Sequence, residues 1–266
     1  MTKLLMIGNS HVAALRLGWP LAAAELPGLV PDLFGAHARN IVNLEDAGGG
    51  ELRMSGNPFW HFEAGQEPDR ATSIWPANYD AVAIVGCDFG PLNVFRTYRR
   101  YHFNGLTGRR KQALTRELFR RAVRISMDES AAVFLVNLIR TVCDKPILLL
   151  PTPMPAENGY ADTEKTSMEP WQAAVEAKDD APLLAIYDEL CQRMRRQGIT
   201  VIAQPALTLA TPMSTLQEYS DDSVRLRADE QMLHPENDYF HMNARYGALM
   251  WHEIARVAAA LAEQAA

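Results

Sequence analysis

Three residues near the two ends of the chain could together do acyl chemistry. Ser10 stands in the run Leu4-Leu5-Met6-Ile7-Gly8-Asn9-Ser10-His11-Val12, and Asp238 and His241 stand in Asp238-Tyr239-Phe240-His241-Met242-Asn243. A serine hydroxyl attacks a carbonyl poorly until a base removes its proton, and an imidazole serves as that base only when a third group orients it. Asp238 can accept from one ring nitrogen of His241 and leave the other free to take the proton of Ser10.

These residues need elements to hold them. Leu4 to Ile7, closed by Gly8, reads as a strand buried on both faces. Val12 to Leu26 follows as a helix interrupted or shortened by Pro20. Further strands are predicted at 30–35, 81–86, 146–151 and 199–203, with helices over 112–141 and 182–197. Residues 36–78, Gly-rich and aromatic, read as loops with a hairpin. Asn243 is placed to cap a last helix from Ala244 to about Glu263. Strands alternating with helices predict one α/β domain over 1–266, with a parallel sheet of about five strands covered by helices on both faces.

Composition narrows the field. The chain has 266 residues, 48% of them hydrophobic, enough for one substantial core. A net charge of −6 gives no reason to expect nucleic acid as a partner. Three scattered cysteines, Cys87, Cys143 and Cys191, form neither a metal spacing nor a redox pair, so free thiols are expected. No charged and apolar leader precedes the first strand and no long uncharged apolar stretch follows, so the expectation is a cytoplasmic protein without a membrane span. No cofactor is implied, and oligomeric state is not legible.

With Gly8-Asn9-Ser10-His11 and Asp238-x-x-His241 in place, the chain resembles the SGNH/GDSL hydrolase superfamily. The resemblance implies a flavodoxin-like three-layer α/β/α sandwich and ester hydrolysis, with Ser10 as nucleophile, His241 as base and Asp238 as its orienting carboxylate. It implies the N–H groups of Ser10 and Gly35 as oxyanion donors, Gly35 following the second strand. Asn9 stands where the family has Asp. The family's Gly-x-Asn-Asp block is Gly86-Cys87-Asp88-Phe89 here, so Asp88 replaces a donor with an acceptor. Asn93, His11, His37 or the Cys87 N–H are candidates to supply the missing donor. The implied substrate is a small acyl ester, on a carbohydrate in many relatives. The alternatives are an acyltransferase using the same triad, or a non-catalytic relative that binds a polysaccharide or a protein.

Other readings stand beside these. Ser10 alone could be a helix N-cap. His234, Asp238 and His241 are the right types for a divalent metal, although Pro235-Glu236-Asn237 predicts a turn rather than a shared helical face, and no metal is expected. Arg96, Arg99, Arg100, Arg109, Arg110, Lys111, Arg116, Arg120, Arg121 and Arg124 make a local basic stretch, read either as a helix paired with acids elsewhere or as a patch that attracts an anionic substrate. Phe59, Trp60, His61, Phe62 and Trp75 either pack a satellite core or form a stacking platform.

Overall fold

The apolar runs become a seven-stranded sheet: β1 (Thr2–Gly8), β2 (Leu29–Gly35), β3 (Phe59–Glu63), β4 (Asp69–Ala71), β5 (Ala81–Val85), β6 (Ile147–Leu150) and β7 (Ile199–Val201), in the order β7-β6-β5-β1-β2-β3-β4. The structure, a computed structural model, describes residues 1–63, 69–109, 112–226 and 232–265, and at 38, 39, 262, 264 and 265 the backbone alone. The five strands expected from their apolar runs are parallel to one another. The other two come from the stretch read as loops with a hairpin: β3 and β4 form an antiparallel pair that adds beyond β2. The same stretch also holds a small antiparallel sheet of Leu44–Gly48, Glu51–Met54 and Ser73–Ile74. Short strands at a sheet edge, with one wet face, carry no continuous apolar run, so these were not legible individually.

Alternation along β1 builds two cores. Leu5 and Ile7 face one side, with Val82, Ile84 and Leu149 of its neighbours, and Leu4 and Met6 face the other, with Ala83 and Leu148. Helices cover both faces: α1 (Val12–Ala22), α2 (Ala38–Ile41), α3 (Leu92–Tyr98), α4 (Arg116–Asp128), α5 (Ala131–Val142), α6 (Glu169–Glu176), α7 (Asp180–Arg196) and α8 (Ala244–Ala265). Residues of α1 and α8 fill the core on the Leu4 face, and those of α3 to α7 the core on the Leu5 face. This is a three-layer α/β/α fold.

The expected helix over 112–141 is three elements. Gln112–Leu114 is a short strand beside Tyr101–Phe103. Thr115 then caps α4 by accepting from the Leu118 N–H at 3.2 Å, and Ser130 caps α5 by accepting from the Val133 N–H at 3.3 Å. A cap in mid-segment starts a new helix, because its side chain takes an N–H that a continuous helix would bond internally. Pro20 sits in the last turn of α1, which passes into a 3₁₀ turn over Ala23–Glu25.

The contact that matters for the site is α1 against α8. A Cβ on Gly247 would fall 1.8 Å from the Ala14 carbonyl oxygen, and one on Gly18 2.4 Å from the Ala248 nitrogen. Two glycines thus let the helix backbones touch. The fully buried Trp251 indole donates to the Leu15 carbonyl at 2.8 Å.

Candidate active site

Ser10 lies in the turn between β1 and α1, at the carboxyl edge of the sheet, where Gly8 pairs in register with both Gly35 and Val85. Gly8 has no room for a side chain, since a Cβ would meet the Val85 carbonyl oxygen at 2.4 Å. Ser10 is not an N-cap. His11 holds that position with no side-chain cap, and Ser10 Oγ lies 2.8 Å from His241 Nε2 instead.

His241 reaches Ser10 because α8 docks on α1. Asn243 opens α8: its Oδ1 accepts the N–H groups of Arg245 at 3.0 Å and Tyr246 at 3.3 Å, and its Nδ2 donates to the Glu218 and Asp221 carbonyls, each at 2.8 Å. Upstream, the Ala156 N–H donates to the Tyr239 carbonyl at 2.7 Å, and the Tyr239 hydroxyl to Asp162 at 2.7 Å. The segment between is pinned on both sides.

The chain of contacts continues from His241 Nδ1 to Asp238 Oδ2 at 2.8 Å. Asp238 Oδ1 accepts the N–H groups of Phe240 at 3.1 Å and His241 at 3.2 Å. Burial opposes ionisation of Asp238, but the hydrogen bonds from His234 and His241 outweigh it and hold the carboxyl far below its usual range. Asp238 is an anion at every working pH. The His11 ring stacks on His241 with centroids 4.9 Å apart. Burial first, and His241 next, push the His11 imidazole down to about 3, so it stays neutral.

The surroundings of Ser10 offer unpaired donors. Among the described residues the backbone N–H groups of Ser10, Cys87 and Asp88 have no acceptor. Gly86, Cys87 and Asp88 follow one another with φ of 68°, 53° and 60°. Consecutive left-handed residues are costly outside glycine, at about 1–2 kcal/mol each. This turn abuts the Ser10 loop: a Cβ on Gly86 would meet Asn9 Oδ1 and the His11 ring, both at 2.6 Å. Gly35 is covered by Leu226, whose Cδ2 lies 2.4 Å from where its Cβ would be.

The remaining candidates fall in different places. Asn9 is buried, its Oδ1 accepting the His11 N–H at 3.3 Å. Asn93 belongs to the interior rather than the pocket: its Oδ1 accepts the Gly90 N–H at 3.0 Å and its amide faces the Ser126 carbonyl at 3.4 Å. Its amide is spent on the start of α3 and on α4. Asp88 points to solvent, with Arg96 3.6 Å away. His37 is exposed ahead of α2. Phe59 and Phe62 are core residues, Trp60 lies under the Arg70 guanidinium at 3.4 Å, and His61 bonds Asp32 at 2.5 Å. They pack the antiparallel edge, and Trp75 is exposed. In the basic stretch Arg120 pairs with Glu189, Arg124 with Glu117 and Arg96 with Asp88; Arg110 and Lys111 lie outside the described residues.

His234, Asp238 and His241 do gather, their ligand atoms within 4.8 Å of one another. The geometry does not suit a metal. The His234 and His241 rings are stacked at 3.9 Å and 11°. A ring nitrogen's lone pair lies in its ring plane, and a metal binds at ~2.0–2.1 Å along it. With the rings nearly parallel, a metal on the lone pair of one ring lies out of the plane of the other. Both Nδ1 atoms instead meet the carboxylate as hydrogen-bond donors.

No protein-family model matches the chain, and no curated protein matches it. Among solved structures it is similar to a DUF4886 family protein from Bacteroides uniformis, with 13% identity and a TM-score of 0.46 over 96% of this chain and 82% of that one. It is also similar to a GDSL-like lipase from Bacteroides thetaiotaomicron, with 12% identity and a TM-score of 0.41 over 98% of this chain and 89% of that one.

Proposed function

We propose that the protein is a serine-dependent hydrolase of small acyl esters. The observation that carries this is the unbroken chain Ser10 Oγ–His241 Nε2–His241 Nδ1–Asp238 Oδ2, with both contacts at 2.8 Å. His241 takes the Ser10 proton as Oγ attacks the acyl carbon, then returns it to the leaving alcohol. Water enters by the same base catalysis, breaks the acyl–serine ester and frees the acid. The ionised Asp238 holds the imidazole and balances its charge while it carries the proton.

The oxyanion needs preorganised donors, each worth about 10²–10³ in rate. The unpaired N–H of Ser10 supports that role for it, and Gly35, in register with Gly8 at the sheet edge, is the second donor of this reading. The free N–H groups of Cys87 and Asp88 stand in for the amide that Asp88 lacks.

A fluorophosphonate probe should form a covalent adduct on Ser10 in the wild type and none in Ser10→Ala, with hydrolysis of p-nitrophenyl acetate lost in parallel. A wild type that neither labels nor turns over short esters would sink the hydrolase reading. It would favour the second one, a non-catalytic binding cleft, for which Asp88 at the amide position is the supporting observation.

A further inference from the structure

On the reading that Ser10 is the nucleophile, we infer that His234 is a positioning residue for the triad, holding Asp238 and His241 by a second hydrogen bond and a stacked ring. Its Nδ1 lies 3.0 Å from Asp238 Oδ2, the same oxygen that His241 Nδ1 reaches at 2.8 Å. The carboxylate thus takes two imidazole donors on one oxygen and two backbone N–H groups on the other. The His234 ring lies flat against His241, centroids 3.9 Å apart and planes 11° apart. His11 also stacks on His241, centroids 4.9 Å apart and planes 20° apart, so two rings pack against the base and restrain it.

The proton on His234 can be located. Its side chain is 10% exposed, and Nε2 is buried with no partner. A proton there would be an orphaned donor, whereas on Nδ1 it serves Asp238. His234 is held in turn by its own N–H, which donates to the Ser223 carbonyl at 2.8 Å, and by the bridge between Val224 and Leu233.

Two consequences follow. This packing restrains His241 from rotating away from Ser10, and the shared oxygen divides the pull of Asp238 between two rings. The titratable groups packed against His241 are Ser10 and His11 from the β1–α1 turn, and His234 and Asp238 from its own segment. Removing the His234 donor leaves Asp238 to act on His241 alone, so the base holds its proton more tightly.

The test is the rate of fluorophosphonate labelling of Ser10 against pH in wild type, His234→Phe and His234→Asn. Phe keeps the flat face and loses the donor, while the Asn amide can take the place of Nδ1. His234→Phe should move the acidic limb up by about 0.5–1 pH unit, making labelling at pH 6 about three- to tenfold slower with no change at pH 9. His234→Asn should leave the limb where the wild type has it. Equal slowing at all pH values, or equal limb shifts in both variants, would overturn the inference and leave His234 a packing residue. Long-range ¹H–¹⁵N spectra finding the His234 proton on Nε2 would overturn it too. A wild type that takes no label overturns the serine reading itself, a result separate from any variant's.

Discussion

A methyl group on Gly247 should pull the proposed reacting groups apart without touching either. The Cβ of Gly247→Ala falls 1.8 Å from the Ala14 carbonyl oxygen, where a carbon–oxygen contact needs ~3.3 Å. The α1 and α8 backbones must therefore separate by about 1.5 Å, the shortfall between that contact and the one required. Ser10 lies in the turn that enters α1, four residues before Ala14, and His241 lies three residues before α8, so the separation is delivered to the Ser10–His241 pair. It also strains the Trp251 hydrogen bond to Leu15. Overpacking and a weakened buried hydrogen bond together should cost about 2–4 kcal/mol in urea unfolding. A misplacement of ~1 Å in reacting groups costs about 10²-fold in rate, so labelling of Ser10 should slow by roughly that factor while the circular dichroism of the folded protein persists. Gly18→Ala, whose Cβ meets the Ala248 nitrogen at 2.4 Å, repeats the test from the opposite helix. Labelling within twofold of wild type in both folded variants would refute the idea that this helix contact sets the distance.

Asp238→Asn should leave the fold intact but present His241 with a donor where it needs an acceptor. Labelling and ester turnover should fall by about 10⁴-fold, as when a triad carboxylate is lost; a loss under tenfold would remove Asp238 from the mechanism. Because Asp238 stays ionised, the acidic limb of activity should reflect one proton, with unit slope in a plot of log rate against pH. His11, pushed down to about 3 by burial, binds a proton in the unfolded chain before it does in the folded one. Its contribution is complete above pH ~6.5 and drains as pH falls toward 3, at up to about 1.4 kcal/mol per pH unit. His11→Gln should therefore lose less stability than wild type between pH 7 and 4.5 in urea titrations, and equal losses would refute this. Asn93→Ala should cost about 1–3 kcal/mol of stability through the Gly90 N–H it orphans, with labelling unchanged; a large loss of labelling would return Asn93 to the pocket.

How much of this was legible beforehand depends on the range over which each feature is decided. The five parallel strands and the start of α8 are written in local pattern: β-branched and leucine runs closed by glycine or proline, and an asparagine before an amphipathic helix. The antiparallel edge was hidden because β3 (Phe59–Glu63) and β4 (Asp69–Ala71) are short and carry no clean period of two, and each depends on a neighbouring strand, β2 for β3 and β3 for β4. The break between α4 and α5 was legible in Ser130 as a cap, but the apolar period on either side ran through it. Asn93 and Asp88 carry the same sequence signal as pocket residues, and only the direction of their side chains separates one turned into the interior from one facing Arg96 and solvent.

The types of the site residues belong to the sequence alone. A serine after a glycine-closed strand and an imidazole three places beyond a carboxylate state what chemistry is available. Their meeting belongs to tertiary structure, because no local preference relates positions 231 residues apart. It depends on two glycines, Gly18 and Gly247, whose missing side chains let α1 and α8 touch, and on Trp251 locking that contact. The role of His234 was likewise invisible in its spacing, which reads equally well as a metal ligand. The parallel stacking of two rings, a property of the folded turn, turns it into a donor to Asp238.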